Sequence, residues 1–189
     1  GSDAVAVWYE SALKKVYRDS KAPEAEIPAV EIAAARGESE AFQVVLVPRS
    51  DASGVRVCWQ DFLGPGILRG EQGRWAWVDY VNVTHPRAPL ARGGWTPDPL
   101  LPAEARDVKG GQVCPIWLTL NVPRDARPGL YRGAVQIESI NRDPFSSGAG
   151  LPTVRIPIHL RVRAFELPAE PTLTTMARIT RCPADGRDA

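Results

Sequence analysis

The sequence predicts an all-β protein, an antiparallel β-sandwich of the immunoglobulin-like kind with one long proline-rich loop. Three observations predict this class: short runs alternate apolar and polar residues, turn-forming sequences separate these runs, and no stretch has a convincing helical period. With 189 residues, of which 44% are hydrophobic, the chain is long enough to bury one sizeable core. We therefore expect a single sandwich domain over residues 1–170.

The alternation of apolar and polar residues is clearest at residues 154–162. Because successive side chains of a strand point to opposite faces, this run predicts a strand with one buried and one solvated face. Pro157 lies on the solvated face and has no backbone N–H, which predicts an edge strand or a bulge at that position. The same pattern at residues 116–122 assigns four aliphatic side chains to the core. They are Ile116, Leu118, Leu120 and Val122.

Six further runs have the composition of short strands, and turn sequences rich in Gly, Pro, Asp and Ser separate them. These runs are residues 4–10, 29–35, 41–47, 55–62, 74–84 and 130–139. Only residues 10–18 and 101–108 have a pattern that would allow a short helix. Eight strands with so little helix favour a sandwich over a mixed α/β fold.

Tyr131 supports the sandwich prediction. It follows the turn at Pro128-Gly129 and begins a strand in which Gly133 and Val135 share its face. A tyrosine at this place, with its hydroxyl group returning to upstream backbone, resembles the tyrosine corner of immunoglobulin-like sandwiches. We therefore expect a structural role for Tyr131 and no catalytic one.

Charge and motif content exclude several classes of function. The 23 basic and 22 acidic residues give a formal net charge of +1, so nucleic acid is not an expected partner. The sequence contains no run of about 18 consecutive apolar residues, the length that a membrane span needs.

The two histidines, His85 and His159, lack neighbours at the spacing of a metal site or a catalytic triad. Cys58 and Cys114 are expected to be buried free thiols, with a disulfide between them as the alternative. We expect no metal and no cofactor.

Paired carboxylates are catalytic candidates because glycoside hydrolysis commonly uses two of them across one bond. Glu38 and Glu40 flank a predicted hairpin turn, and Asp79 lies in a strand rich in aromatic residues. Arg36 and Arg74 lie near these carboxylates in the sequence, so surface ion pairing explains them equally well.

The six tryptophans exceed what a sandwich core usually requires. One of them lies in the segment GGWTPDPLLP, residues 93–102, whose three prolines prevent it from pairing as an interior strand. Such a stiffened, aromatic loop is suited either to pack on its own domain or to meet a sugar or a neighbouring domain. The candidate contact residues are Trp95, Asp98, Trp75, Trp77 and Asp79.

Six segments of the chain, taken in order, resemble the N-terminal domain of glycoside hydrolase family 123-like proteins. They are residues 32–48, 55–62, 75–86, 93–102, 114–137 and 156–175. The resemblance implies a β-sandwich that precedes a (β/α)-barrel domain. It also implies an exo-acting retaining hydrolase of N-acetylgalactosamine-type sugars, in which the acetamido group of the substrate is the nucleophile and an Asp-Glu pair of the barrel assists.

The resemblance identifies residues 165–175 as similar to the connector that enters the barrel. A barrel needs about 200 residues or more, and only 14 follow Thr175. No catalytic residue is therefore assigned, and residues 171–189 are expected to be a connector and tail, disordered after about residue 176. The expected function is a non-catalytic accessory domain that braces the barrel. The alternatives are an autonomous carbohydrate-binding module and a cell-surface or assembly protein.

Overall fold

The computed structural model describes residues 4–23, 29–85, 92–139 and 151–170. These residues form twelve β-strands and one short 3-10 helix, Gly70–Gln72, and no α-helix. The strands are β1 Val5–Ser11, β2 Val30–Arg36, β3 Ser39–Pro48, β4 Ala52–Trp59, β5 Phe62–Leu63, β6 Ile67–Leu68, β7 Gly73–Val83, β8 Gly94–Leu101, β9 Arg106–Val108, β10 Cys114–Asn121, β11 Gly129–Ser139 and β12 Val154–Glu166. The predicted all-β class is confirmed, and each of the eight predicted strands is present.

The strands form two sheets. The five-stranded sheet has the order β1-β3-β10-β7-β8, and all its neighbours are antiparallel. The seven-stranded sheet has the order β2-β12-β11-β4-β9, with β5 paired to β11 and β6 paired to β5. In it, β2 runs parallel to β12, whereas the other pairs are antiparallel. The protein is thus a β-sandwich with one mixed sheet, and its assignment as immunoglobulin-like stays a prediction.

The core lies between the two sheets and follows the alternation in the sequence. The four aliphatic residues predicted from residues 116–122 are each at most 2% exposed. On β12, Ile158, Leu160 and Val162 are buried, while Val154 and Ile156 pack against them at the margin of the core. Both predictions are confirmed, because the face of a strand that meets the opposite sheet carries every second side chain.

Two local predictions were wrong. The strand with Pro157 is not an edge strand, since β12 lies between β2 and β11. Pro157 is tolerated because the pairing with β2 begins only at the next residue, Ile158. The turn between Arg36 and Ser39 is not a hairpin, because β2 and β3 belong to different sheets. It carries the chain from one sheet to the other.

Neither of the two segments whose pattern would allow a short helix is helical. After β1, residues 12–20 form turns and irregular structure, and within 101–108 the chain forms β9. Val16 is only 2% exposed in the first of these segments because it packs on Trp8 and Val45 of the five-stranded sheet. Tertiary burial of one residue, rather than a helical apolar stripe, determines the path of this segment.

The proline-rich segment 93–102 was predicted to be a loop, and most of it is instead the edge strand β8. Pro97 lies opposite Tyr80 of β7, and the register shifts between Val78 and Tyr80. Residues 98 and 99 therefore stand opposite a single residue of β7, which is the arrangement of a β-bulge. An edge position and a bulge are the two places where a strand tolerates proline, because fewer backbone donors are needed there. Residues 86–91, which precede this strand, lie outside the described residues.

The tyrosine corner is present. Tyr131 is 1% exposed, and its hydroxyl group donates a hydrogen bond of 2.8 Å to the backbone oxygen of Arg127. The bond ties the turn before β11 to the first residues of that strand. The predicted structural role of Tyr131 is thus confirmed.

Gly133 is required by the packing of Phe62, and this supports a first prediction. A Cβ atom at Gly133 would lie 2.5 Å from the Phe62 ring, which is fully buried. We expect Gly133→Ala to lower the free energy of unfolding by about 1–3 kcal/mol through overpacking, as measured by chemical denaturation. Gly66→Ala is the control, since its Cβ atom would meet only the Tyr131 hydroxyl at 3.5 Å; a change within about 0.5 kcal/mol is expected there. Equal losses in the two variants would contradict this explanation.

Candidate functional site

The five predicted contact residues do not form one surface. Trp77 is 1% exposed and belongs to the core, and its Nε1 donates a hydrogen bond of 2.9 Å to the backbone oxygen of Glu104. Trp75 is half-buried, and the two rings meet edge to face at 5.5 Å with an interplanar angle of 85°. In this structure neither ring is a free platform, so the prediction that Trp77 is a contact residue is corrected. The reason is that the face of β7 that carries both rings is the inner face of the sandwich.

Trp95 and Asp98 remain on the outside. Trp95 is 48% exposed on β8, and the guanidinium carbon of Arg18 lies 3.8 Å from the centroid of its ring. One face of the indole is therefore occupied by a cation from the protein itself. Asp98 is exposed in the bulge of β8, and its carboxylate makes no hydrogen bond within the part of the chain that the structure describes.

Asp79 is half-buried on β7, opposite the bulge of β8. Its Oδ1 accepts a hydrogen bond of 2.8 Å from the backbone N–H of Tyr80. The carboxylate is thus used by its own strand, and the structure does not bring it together with Trp95. The predicted constellation separates into core residues and two exposed residues of β8.

The outer face of the five-stranded sheet is covered by residues 12–20, which we call the covering segment. Tyr80 donates from its hydroxyl group to the backbone oxygen of Val16 at 3.1 Å. The side-chain amide of the buried Gln43 donates to the backbone oxygens of Ser11 and Lys14 at 3.0 and 2.8 Å. This sheet is apolar on both faces because the covering segment seals the second one. The sequence contained one signal for this, Val16 beside Tyr17 within the otherwise charged stretch 14–19.

A salt bridge and two cation–π contacts attach the covering segment to the region of β8. Asp19 pairs with Arg92 at 2.6 Å, and the Arg92 guanidinium lies 4.4 Å from the Tyr17 ring centroid. Arg18 lies between the rings of Trp95 and Tyr80. The half-exposed Trp95 therefore takes part in the contacts that hold the covering segment against the region of β8.

Two buried groups of this region have strongly raised pKa values. Burial raises the pKa of the Tyr80 hydroxyl to about 12, with a smaller contribution from the thiolate form of Cys114. Burial likewise raises the pKa of the Cys114 thiol to about 11, against an opposing effect of Arg106. Both groups are neutral at physiological pH, so Cys114 is not an activated nucleophile.

Of the two acidic residues near the turn after β2, Glu38 has a structural partner. Glu38 accepts a hydrogen bond of 2.6 Å from the backbone N–H of Ala35 through its Oε2. Burial raises the pKa of the Glu40 carboxyl, and the charge of Glu38 adds to this effect. The structure therefore explains Glu38 as part of the chain reversal between the sheets.

The cysteines and histidines also have structural explanations. Cys58 lies on β4 of one sheet and Cys114 on β10 of the other, and both are free thiols. The Nδ1 of His159 lies 2.6 Å from Oε1 of Glu31 on the neighbouring strand β2.

Within the described residues, no group of three or more His, Cys, Asp or Glu side chains is placed to hold a metal ion. No helix in that part of the chain could cross a membrane. Cys182 lies outside the described residues.

The end of β12 overlaps the start of residues 165–175, which the resemblance identified as a connector. β12 continues for four residues beyond Val162, its last buried residue, and Glu166 lies opposite Arg36 of β2. The backbone N–H of Leu167 donates to the backbone oxygen of Arg36 at 2.9 Å. Glu166 forms salt bridges with Arg36 and Arg124. The chain thus leaves the sandwich as a paired strand and not as a free linker.

Solved structures with a similar fold include a larger enzyme. A family 123 glycoside hydrolase from Clostridium perfringens, studied for glycolipid glycan hydrolysis, matches with a TM-score of 0.69 at 15% identity. The match covers 87% of this chain and 28% of that enzyme, so this chain spans well under half of its length. AvmM, which catalyses a macrocyclization in alchivemycin A biosynthesis, matches at 12% identity over 89% of this chain and 93% of AvmM, with a TM-score of 0.45. This last score is too low to carry an argument.

A family model supplies stronger information than the distant structural matches. A search of curated protein sequences found no significant match. The model of the glycoside hydrolase 123 N-terminal domain, however, matches residues 14–139, which is well over half of the chain and extends from the covering segment to the last residue of β11. The order of the resembling segments in the sequence and the all-β sandwich agree with this match. This chain therefore belongs to the glycoside hydrolase 123 N-terminal domain family.

Proposed function

We propose that this protein is the non-catalytic accessory domain of a glycoside hydrolase, and that it braces a catalytic (β/α)-barrel domain that follows it. The observation that carries the proposal is the match of the family model to residues 14–139. Bracing requires a rigid domain, because a neighbour can be held in place only by a surface that does not itself rearrange. A core closed between two sheets and a covered outer face supply that rigidity here.

The way in which the chain leaves the sandwich supports the bracing role. A flexible linker would let two domains move independently, whereas a strand whose last residue is again paired with its neighbour restricts their relative orientation. Here the pairing of Glu166 with Arg36 and the hydrogen bond of Leu167 keep the chain ordered to the edge of the domain.

The substrate class of the whole protein follows from the resemblance. We propose N-acetylgalactosamine-type sugars as substrates, with the catalytic carboxyl pair on the barrel and no reacting group on the sandwich. This assignment fits the local roles of Glu38 and Asp79, whose carboxylates accept hydrogen bonds from nearby backbone N–H groups.

An autonomous carbohydrate-binding module is less well supported. Sugar rings stack on exposed aromatic faces, but Trp77 is buried and Trp75 stands nearly perpendicular to it. Trp95 is the one exposed tryptophan among the described residues, and Arg18 covers one of its faces. For the third alternative, a cell-surface or assembly protein, no contact in the structure gives specific support.

A binding experiment separates bracing from sugar recognition. Titration of this chain with N-acetylgalactosamine-containing glycans is expected to give no saturable change in tryptophan fluorescence. Trp95→Ala is the matched control, because any change that depends on sugar stacking at the exposed indole should disappear in it. In parallel, the natural protein at full length is expected to hydrolyse an N-acetylgalactosaminide, and this chain alone is not. A saturable response at sub-millimolar sugar would contradict the bracing role.

A further inference from the structure

Exposed apolar side chains concentrate at the end of the sandwich where the chain leaves it. Nine large hydrophobic side chains are exposed in the described residues, and five of them belong to β5, β6, β11 and the end of β12 or directly follow it. We call these five the exit surface. They are Leu63, Ile67, Leu130, Phe165 and Leu167. Their exposed fractions run from 36% for Leu167 to 62% for Leu63.

The strand register places Leu63, Ile67 and Leu130 together on the outside of the seven-stranded sheet, and Phe165 and Leu167 lie at the same end of that sheet. Tyr131 points into the core, so its neighbours Leu130 and Arg132 point outward. Leu63 lies opposite both Arg132 and Ile67, and it therefore shares their face. Leu130 is the second residue of β11 and lies opposite Arg161, four residues before Phe165 on β12. The start of β11 and the end of β12 are at the same end of the sheet because these strands are antiparallel.

Arginines surround the exit surface. Arg132, Arg161 and Arg163 are exposed on β11 and β12, and none of them has an ion pair with a described residue. At the same end, the single carboxylate of Glu166 is shared between Arg36 and Arg124. The Nε of Arg36 is buried and has no hydrogen-bond partner among the described residues. This end of the domain therefore has an excess of positive charge and unused donors around an apolar patch.

We propose that the exit surface is the docking site of the domain that follows on the same polypeptide, and that the matching surface of that domain is apolar with an acidic rim. The proposal rests on the proposed function and specifies where the brace makes its contact. Patches of this kind on a soluble domain mark sites of interaction, and arginine is well suited to pair with carboxylates there. A covalent connection would favour this occupant over other partners, because a short flexible tether gives an effective concentration in the millimolar range.

Site-specific thiol labelling in the natural full-length protein tests this proposal. Leu130→Cys places a thiol in the exit surface, and Ser53→Cys places a nearly isosteric one at the opposite end of the same sheet, where Ser53 is exposed on β4. A maleimide is added, and each position is followed by peptide mass spectrometry, which separates it from the native cysteines. Residue 130 is expected to react at least about tenfold more slowly than residue 53, which corresponds to about 1.4 kcal/mol of contact free energy.

A second substitution and two further conditions decide between occupants. Phe165→Ser in the Leu130→Cys protein is expected to raise the labelling rate at residue 130 toward that of residue 53, because it removes an apolar contact without disturbing the core. Equally fast labelling of both positions in the protein without this change would overturn the proposal. Two other results would also overturn the proposal. Protection of residue 130 from labelling that is lost on dilution indicates that a second copy of the protein covers the surface. Protection that requires phosphatidylserine vesicles indicates that a lipid surface covers it.

The same samples distinguish failure of this proposal from failure of the proposed function. Suppose that the full-length protein hydrolyses an N-acetylgalactosaminide while residue 130 is labelled as fast as residue 53. The exit surface is then not the docking site, and the bracing role must use a different surface of this domain. If the full-length protein has no such activity and this chain binds the sugar, the proposed function itself is wrong.

Discussion

Trp77→Ala is expected to lower the free energy of unfolding by about 3–5 kcal/mol, the usual cost of deleting a large buried aromatic side chain. Trp77 is 1% exposed, and its neighbours include the edge-on ring of Trp75 and the guanidinium of Arg106, 4.0 Å from its centroid. The substitution also leaves the backbone oxygen of Glu104 without its donor. Chemical denaturation followed by circular dichroism measures the loss.

Trp95→Ala is the matched control for this prediction. Trp95 is 48% exposed on the edge strand, and its main contact is with Arg18. Loss of an exposed cation–π contact costs about 0.5–1 kcal/mol, so this variant should remain folded. Similar losses in the two variants would show that Trp95 belongs to the core and that Trp77 does not dominate it.

Raising the pH from 9 to 12 is expected to destabilise the protein by several kcal/mol. In the unfolded chain Cys114 and Tyr80 ionise near pH 9 and 10, whereas in the folded protein their pKa values are raised to about 11 and about 12. Between these limits the unfolded chain has released protons that the folded protein still holds, so the free energy of unfolding falls as the pH rises. The stabilisation that these two neutral groups give the folded protein is fully present only below about pH 9, where neither group is ionised in the unfolded chain. A shift of about two units corresponds to roughly 3 kcal/mol for a single group, and the two contributions are not simply additive because the charge of Cys114 contributes to the shift of Tyr80.

Denaturation at stepwise pH values, with Tyr80→Phe as the control, measures this effect. The neutral Tyr80 hydroxyl donates to the backbone oxygen of Val16, and a phenolate cannot. Tyr80→Phe should therefore be less stable at pH 8 by about 0.5–1.5 kcal/mol, but it should lose less stability between pH 10 and 12. An unchanged loss in that interval would show that Tyr80 does not titrate with folding.

The strands of the core could be predicted from local patterns. The alternation in residues 116–122 and 154–162 corresponds to buried and exposed positions of β10 and β12, because one face of each strand meets the opposite sheet. Tyr131 was predicted for the same reason, since a turn followed by a strand defines its local geometry. These features depend on a few consecutive residues, and the sequence contains all of them.

The candidate contact residues could not be predicted in the same way. The prolines of residues 93–102 indicated a loop, and the edge position and bulge of β8 allowed a strand instead. Trp75 and Trp77 are two residues apart and therefore lie on the same face of their strand. The sequence did not reveal that this is the inner face of the sandwich. The covering segment was also missed, because its burial comes from Trp8, Val45 and Val113, which are distant in sequence from one another.

The sequence by itself determined that this protein is an all-β sandwich with a fully buried aliphatic core, and it carried the family resemblance that the family model confirms over residues 14–139. Only the tertiary structure decided which tryptophans are buried, what covers the five-stranded sheet and where apolar side chains stay exposed. The physical reason is that period-two patterning reports only which side chains share a face of a strand. Whether that face is covered depends on segments that are remote in the chain, such as residues 12–20 over β3 and the β5–β6 pair beside β11.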